Sequence, residues 1–269
     1  MRKVLSVSAI GAILLILASC GSTSRAYLRI VHAAPGSTGN PASPSIDVTI
    51  DGNKVLSSVA YATGSNYFSV SPGSRHFQIN LTGDKTFFID TTINLTAKTY
   101  TTMTLAGEIG AVAFPLPIPP VPTIVTSTDD HGAAAAGIVK IRVMNAAVGY
   151  DLPIPPPPPQ QQLVPAPVDV YITTFGAVLD GQHPTLPSVN FQTTTAYVPI
   201  AVGDLEIRVV VPAGCGSDPL TCNPNNAGNI LIDSGKVTFT DKKQEQTYLL
   251  TDQTPPSPFF QGTLLPDVN

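Results

Sequence analysis

The residues able to do chemistry are few in this chain, and most stand far apart. Four histidines and three cysteines are spread over 269 positions. The densest cluster is Asp129-Asp130-His131, two carboxylates beside an imidazole and so a metal-binding set by residue type. It lies in a short polar stretch with no further ligand near it in sequence, which reads as a solvated turn. His32 ends an apolar run just before Ala33-Ala34-Pro35. That position suits a packing histidine whose ring bonds a backbone group, with a general base as the alternative. Asp47 and Asp169 occupy matching contexts, Ile-Asp-Val and Val-Asp-Val, and Arg29 and Arg142 recur in the same way. Arginines and carboxylates that recur together read as a buried or half-buried ion pair inside each of two modules, Arg29 with Asp47 and Arg142 with Asp169. Calcium ligation is the rival reading, but Ca²⁺ takes about six to eight oxygens from dense acidic loops, which are missing. No Gly-x-Ser-x-Gly elbow, His-Glu-x-x-His pair or phosphate-cradling glycine loop occurs, so hydrolase and nucleotide chemistry have no motif to rest on. No catalytic residue, metal or cofactor is assigned.

The N-terminus carries a different kind of chemistry. Arg2 and Lys3 precede an apolar run from Val4 to Leu17, shorter than the roughly 20 residues that span a bilayer. With small residues after it, this reads as a secretory signal over residues 1–19. Leu17-Ala18-Ser19-Cys20 resembles the bacterial lipobox. That resemblance implies that Cys20 is acylated on sulfur, becomes the new N-terminus and holds the chain to a membrane outside the cytoplasm. Several acyl chains on one residue make such an anchor effectively permanent. Gly21 and Ser22 after the cysteine, by resemblance to known sorting rules, favour the outer membrane in a diderm cell. The alternative is an ordinary signal peptide with an incidental cysteine. Cys215 and Cys222 remain, in Cys-Gly-Ser-Asp-Pro-Leu-Thr-Cys. Outside the cytoplasm such a pair oxidises, and the enclosed Gly, Pro and Asp let the chain fold back to the Cα separation of about 5–6 Å that a disulfide needs. A zinc site would want closer spacing and further Cys or His ligands.

Composition says which elements must position these residues. A chain that is 43% hydrophobic and only 12% charged is not the highly charged, apolar-poor kind that stays disordered. A net charge of −4 without a basic cluster leaves no electrostatic footprint for nucleic acid. Apolar residues alternate with polar ones in Ile46-Asp47-Val48-Thr49-Ile50, in Phe77, Ile79 and Leu81, and in Leu205, Ile207 and Val209. This is the period-2 signature of half-buried strands. Asp51-Gly52 and Ser71-Pro72-Gly73 supply turn signals, and helical periodicity is absent from the mature chain.

The strands recur in order. Arg29-Ile30-Val31-His32-Ala33-Ala34 returns as Arg142-Val143-Met144-Asn145-Ala146-Ala147. Ile46 to Ile50 returns as Val168 to Ile172, and Asn66 to Val70 with Gly73 returns as Ala196 to Ile200 with Gly203. Ile89-Asp90 and Thr99-Tyr100 match Ile232-Asp233 and Thr247-Tyr248. The run Arg29 to Pro35, then Ile46 to Gly52, then Tyr67 with Ser71-Pro72-Gly73, resembles the bacterial DUF4397 domain of exported proteins. It is fuller in the first copy than in the second, where Asn145 replaces His32 and the Asp-Gly turn is lost. The resemblance implies export, tandem arrangement and immunoglobulin-like β-sandwiches, and no reaction.

The expected layout is therefore a signal over 1–19, a tether over 20–25, a first sandwich over 26–128, a linker over 129–137, a second sandwich over 138–254 and a C-terminal tail over 255–269. Pro115 to Pro122 and Pro153 to Pro167 cannot donate to a ladder and favour polyproline II. The first is placed as the loop of a hairpin returning at Thr123 to Thr126. The second is placed between the first two strands of the second module. Both read as stiff exposed spacers, with recognition by a partner's aromatic groove as the alternative. The function expected is a non-enzymatic, lipid-anchored envelope protein acting as a structural or binding module for a protein or glycan partner. A surface adhesin or surface-layer component is the alternative, and an exported hydrolase would need acidic or histidine side chains clustered between the modules.

Overall fold

The structure is a computed structural model that describes residues 24–36, 44–110, 121–132, 134–148, 167–210, 230–240, 245–252 and 260–267. Cys20, Cys215 and Cys222 lie outside the described residues, as do most of both proline-rich segments. Among the described residues every regular element is a strand. The first ten are β1 (Ala26–His32), β2 (Ile46–Ile50), β3 (Asn53–Val59), β4 (Thr63–Gly64), β5 (Phe68–Val70), β6 (Gly73–Leu81), β7 (Phe87–Leu95), β8 (Tyr100–Ala106), β9 (Thr123–Asp129) and β10 (Ile138–Asn145). The rest are β11 (Val168–Thr174), β12 (Leu186–Val189), β13 (Thr193–Thr194), β14 (Val198–Ala201), β15 (Gly203–Val210), β16 (Ile230–Asp233), β17 (Val237–Phe239), β18 (Glu245–Asp252) and β19 (Phe260–Pro266).

They form two sandwiches with the same strand order. In the first, a sheet β4-β1-β8-β9, with β5 also on β1, covers a sheet β3-β2-β6-β7. In the second, β13-β10-β18-β19, with β14 on β10, covers β12-β11-β15-β16, with β17 on β15. β1 runs parallel to β8 and β10 parallel to β18, while the other pairings are antiparallel. Alternation decides which residues fill each core. Leu28 and Ile30, Ile46, Val48 and Ile50, Phe77 and Ile79, and Met103 and Leu105 close the first core. Ile141 and Val143, Val168 and Val170, Ile207 and Val209, and Tyr248 and Leu250 close the second. A third apolar cluster joins residues of both halves: Val31, Ala33 and Ala106 with Met144, Ala146, Leu249 and Leu265. These lie on the opposite faces of β1, β8, β10, β18 and β19 or directly after β1 and β10, so those two sheets pack on each other.

Register corrects three expectations. Arg29 stands opposite Thr102 and Arg142 opposite Thr247, so the counterpart of Thr247 is Thr102, and the match of Thr99-Tyr100 to Thr247-Tyr248 was displaced along the strand. Asp129, expected in a linker, is the last residue of β9. Phe260 to Pro266, expected in a tail, is β19, paired along its length with β18 as β9 is with β8. Thr-rich and interrupted sequences such as Thr123 to Thr128 and Phe260 to Pro266 carry weak alternation, and pairing with an existing edge supplies what their pattern lacks. Thr123 to Thr126 does return to the sheet as expected.

Phe77 is fully buried at the centre of the first core. Phe77→Ala is expected to cost about 3–5 kcal/mol of stability, read from the urea midpoint, whereas Val178→Ala at a position 68% exposed is expected to leave it unchanged.

Candidate functional site

Arg29 and Arg142 sit on the strand phase opposite their cores, between Leu28 and Ile30 and between Ile141 and Val143. Each therefore points out of its own sandwich and into the contact between the two halves. Arginine there is buried, at 2% exposure in both cases, and must find charge and acceptors across the contact. Arg29 Nη2 donates to Asp267 Oδ1 at 2.6 Å and Nη1 to the Pro266 carbonyl at 2.8 Å. Reciprocally, Arg142 Nη2 donates to Asp129 Oδ1, and Nη1 to the Thr128 carbonyl at 3.3 Å. Each arginine thus reaches the last strand of the other half.

The anchoring of each acceptor is also repeated. Arg29 donates through Nε and Nη2 to Thr102 Oγ1 at 3.1 and 2.8 Å, and the Thr102 hydroxyl donates to Asp129 at 2.7 Å. Arg142 Nε donates to Thr247 Oγ1 at 2.8 Å, and the Thr247 hydroxyl donates to Asp267 at 2.7 Å. Tyr67 donates to Asp129 at 2.5 Å and Tyr197 to Asp267 at 2.7 Å. The rings of Tyr67 and Tyr197 lie under the Arg29 and Arg142 guanidinium groups at 5.1 and 4.7 Å, within cation–π range. Burial pushes both tyrosine hydroxyls far above their ordinary range, so both stay donors. Burial also opposes the charge on Arg142, but the Asp129 and Asp267 carboxylates outweigh it and hold the guanidinium above its ordinary range. Two cations and two anions balance, and the carboxylates have no exposed surface. Ions so placed are stable only while paired, because desolvating an unpaired charge costs several kcal/mol.

This geometry overturns the Arg29–Asp47 and Arg142–Asp169 pairs. Asp47 lies on β2, between Ile46 and Val48, which point into the core; it faces out of the sandwich on the side away from Arg29. The two side chains occupy opposite outer faces with the core between them. Asp47 instead accepts from Lys54 at 2.5 Å, from the Ser58 N–H at 2.9 Å and from Thr82 at 2.9 Å. The Lys54 bond comes first in holding its carboxyl below the usual range. Asp169 accepts from the Ser188 N–H at 2.8 Å. Ser58 and Ser188 both have positive φ, 54° and 50°, and both stand where the adjacent ladder shifts register. The recurring aspartate is explained by a recurring bulge: its carboxylate holds the N–H of a strained residue in the neighbouring edge strand.

The remaining candidates separate. His32 Nε2 meets the Pro44 carbonyl at 2.8 Å, as a packing histidine would, and burial depresses its pKa to about 4. Asn145 takes the corresponding place and donates to the Val189 carbonyl. Asp129, Asp130 and His131 diverge despite adjacency. Asp129 enters the buried centre, Asp130 pairs with Lys140 at 2.7 Å, and His131 stacks on Tyr100 at 3.5 Å between ring centroids. They form neither a metal set nor a plain solvated turn. Sequence reasoning missed Thr102, Thr247, Tyr67, Tyr197 and Asp267 as members of the centre. The recurrence of Tyr67 and Tyr197 was a usable signal, while Asp267 had none because its strand was unrecognised.

Residues 26–151 match the family described as Domain of unknown function (DUF4397), a stretch that runs through the first sandwich and past β10. No curated protein matches the chain. Two solved structures are similar over most of its length. One is of family 41 carbohydrate-binding modules from streptococcal virulence factors, described for α-glucan recognition, at 12% identity, covering 88% of this chain and 97% of that one with a TM-score of 0.25. The other is CBMbc, a family 26 module from Eubacterium rectale Amy13K in complex with maltoheptaose, at 10% identity, covering 89% and 96% with a TM-score of 0.25.

Arg29→Met and Arg142→Met each leave a buried carboxylate without its cation and are expected to cost about 3–5 kcal/mol. Replacing Arg29 and Asp267 together is expected to cost less than the sum of the single changes, a coupling read by urea denaturation in a double-mutant cycle. For His32, a folded pKa of about 4 lies below the unfolded value of about 6.5. Between those values the unfolded chain binds more protons, so this stability is full above pH ~6.5 and falls away as pH drops toward ~4, by up to about 3 kcal/mol. His32→Gln is expected to flatten that part of the pH profile.

Proposed function

We propose that this chain is a non-enzymatic, lipid-anchored protein of the bacterial envelope whose two tandem sandwiches work as one rigid module for engaging a protein or glycan partner. The observation that carries this reading is the reciprocal placement of Arg29 on Asp267 and Arg142 on Asp129. A hydrolase between the halves would need carboxylates or histidines clustered there; His131 is taken up by its stack on Tyr100 and Glu245 faces Lys140 at the rim, and two carboxylates, Asp129 and Asp267, do meet at the centre of that contact. They are sealed from solvent, neutralised by arginine and saturated by threonine and tyrosine hydroxyls, so neither can touch a substrate. Charge that an enzyme would present to a ligand is here used to fix one sandwich against the other. A fixed pair presents its surfaces at constant spacing, which favours engagement of an extended partner. The lipobox at Leu17 to Cys20 supports the tether, and the recurring register supports a second, divergent copy of the DUF4397-like domain.

Cys20→Ala is expected to move the protein from the membrane pellet to the soluble extracytoplasmic fraction, and retention after a high-salt wash would overturn the lipid anchor. Crosslinking in intact envelopes is expected to trap a defined partner on the wild-type chain; its absence would overturn the binding role.

A further inference from the structure

Natural sheets protect their free edges with lysine, proline, bulges or very short strands, because an unprotected edge is a template for another strand. Most edges among the described strands follow that rule. β3 carries Lys54 and a break at Ser58, while β4 and β5 have two and three residues. β12 carries Pro187 and a break at Ser188, β16 has four residues, and β19 contains Gly262 and ends at Pro266. β7 and β9 do not. They are the edges of the two sheets on the same side of the first sandwich, with nine and seven residues, no lysine, arginine, proline or glycine, and a single charged residue each, Asp90 and Asp129, both already paired. The ladder of β7 is irregular only beside Phe88, and from Ile89 to Leu95 it runs unbroken.

Between these two edges lies a cavity of about 530 Å³ lined by Phe88, Ile89, Ile93 and Ile124 and, in larger number, by threonine, asparagine and aspartate side chains. Phe87, next to it, is 39% exposed, a large apolar side chain partly open to solvent. The cavity between β16 and β19 in the second half is similar in size, about 490 Å³, but its edges are blunted as described. Size alone therefore does not distinguish the two grooves; the open main chain does.

The geometry points to β7 as a docking edge that accepts an extended, uncharged strand of a partner protein, antiparallel or parallel, as a further member of the β3-β2-β6-β7 sheet. This rests on the binding role proposed above and names its site. Main-chain groups of Ile89 to Leu95 supply the hydrogen bonds. Alternate side chains of the added strand enter the groove against Ile89, Ile93 and Ile124. The charge pattern selects the occupant. The lining carries no cation, and its single carboxylate, Asp90, is already engaged by His76 at 2.6 Å and Gln78 at 2.9 Å. A charged side chain entering the groove finds no free counter-charge in the lining, whereas an uncharged one loses nothing there.

The test uses the full mature chain and a blocked nine-residue peptide of alternating valine and threonine, with amide hydrogen exchange as the readout. At saturating peptide, exchange at residues 89–95 is expected to slow by about tenfold or more, with residues 53–59 unchanged. Thr91 is exposed on β7. Thr91→Lys is expected to abolish the protection and Thr91→Val to keep it, each with an unchanged urea midpoint. Protection confined to other strands, or persisting in Thr91→Lys, would overturn the proposal. So would protection by soluble neutral dextran but not by peptide, which would make the groove a glycan site. Protection that rises with protein concentration alone, with dimer in the ultracentrifuge, would assign the edge to a second copy and overturn it too. Envelope crosslinking reads the binding role independently: a partner trapped while residues 89–95 stay unprotected by peptide leaves that role standing and removes this site.

Discussion

Two guanidinium groups and two carboxylates buried between two sheets are the constraint on which the arrangement of this molecule depends. A charge withdrawn from water is tolerated only when its counter-charge and its remaining hydrogen bonds are met in fixed positions. Arg29 and Arg142 meet theirs only if β9 and β19 reach the correct register on β8 and β18, and only if the two halves face each other in one orientation. A well-packed apolar contact would have held the halves as firmly. What the ions add is intolerance of any other orientation. The apolar residues around them, Val31, Ala33, Met144 and Ala146 among others, fill the rest of the contact.

The exchange is symmetric in residue type. Arg, Thr, Tyr and Asp from the first half correspond to Arg, Thr, Tyr and Asp from the second, and each arginine crosses to the other half's aspartate. Where counterparts differ, the chemistry at the rim of the contact changes. Tyr27 and Tyr100, stacked at 4.5 Å, stand where the second half has Lys140 and Glu245, 3.5 Å apart. One half contributes an aromatic pair and the other an ionic pair, while the buried centre is the same twice.

The same economy explains the recurring aspartates on β2 and β11. They face away from the contact and hold the backbone of a bulge, which bends the neighbouring edge strand and spoils it for further pairing. Edges treated this way contrast with β7 and β9, left long and free of lysine and proline. Protection of some edges and openness of others is a property of whole sheets, since only strand order says which strands are edges.

The sequence by itself determined the class of the fold, its strand phases and the recurrence of its parts. Alternation in Ile46 to Ile50 or Leu205 to Val209 is a local pattern with one physical meaning, a face buried and a face not. It also contained Arg29, Arg142, Asp47 and Asp169 as residues too regular in their recurrence to be incidental, and His32 as a residue bonded to backbone. It did not contain their partners. Recurrence alone pairs Arg29 with Asp47, yet alternation places them on opposite outer faces of one sandwich. Which outer face meets another sheet, and whose aspartate stands there, follow from how β9 and β19 add to their edges and how the halves dock. Those are contacts across 238 residues in the case of Arg29 and Asp267, and no local pattern encodes a distance of that kind. Tertiary structure decided them, because only burial of the finished contact makes an unpaired arginine or aspartate there too costly to leave.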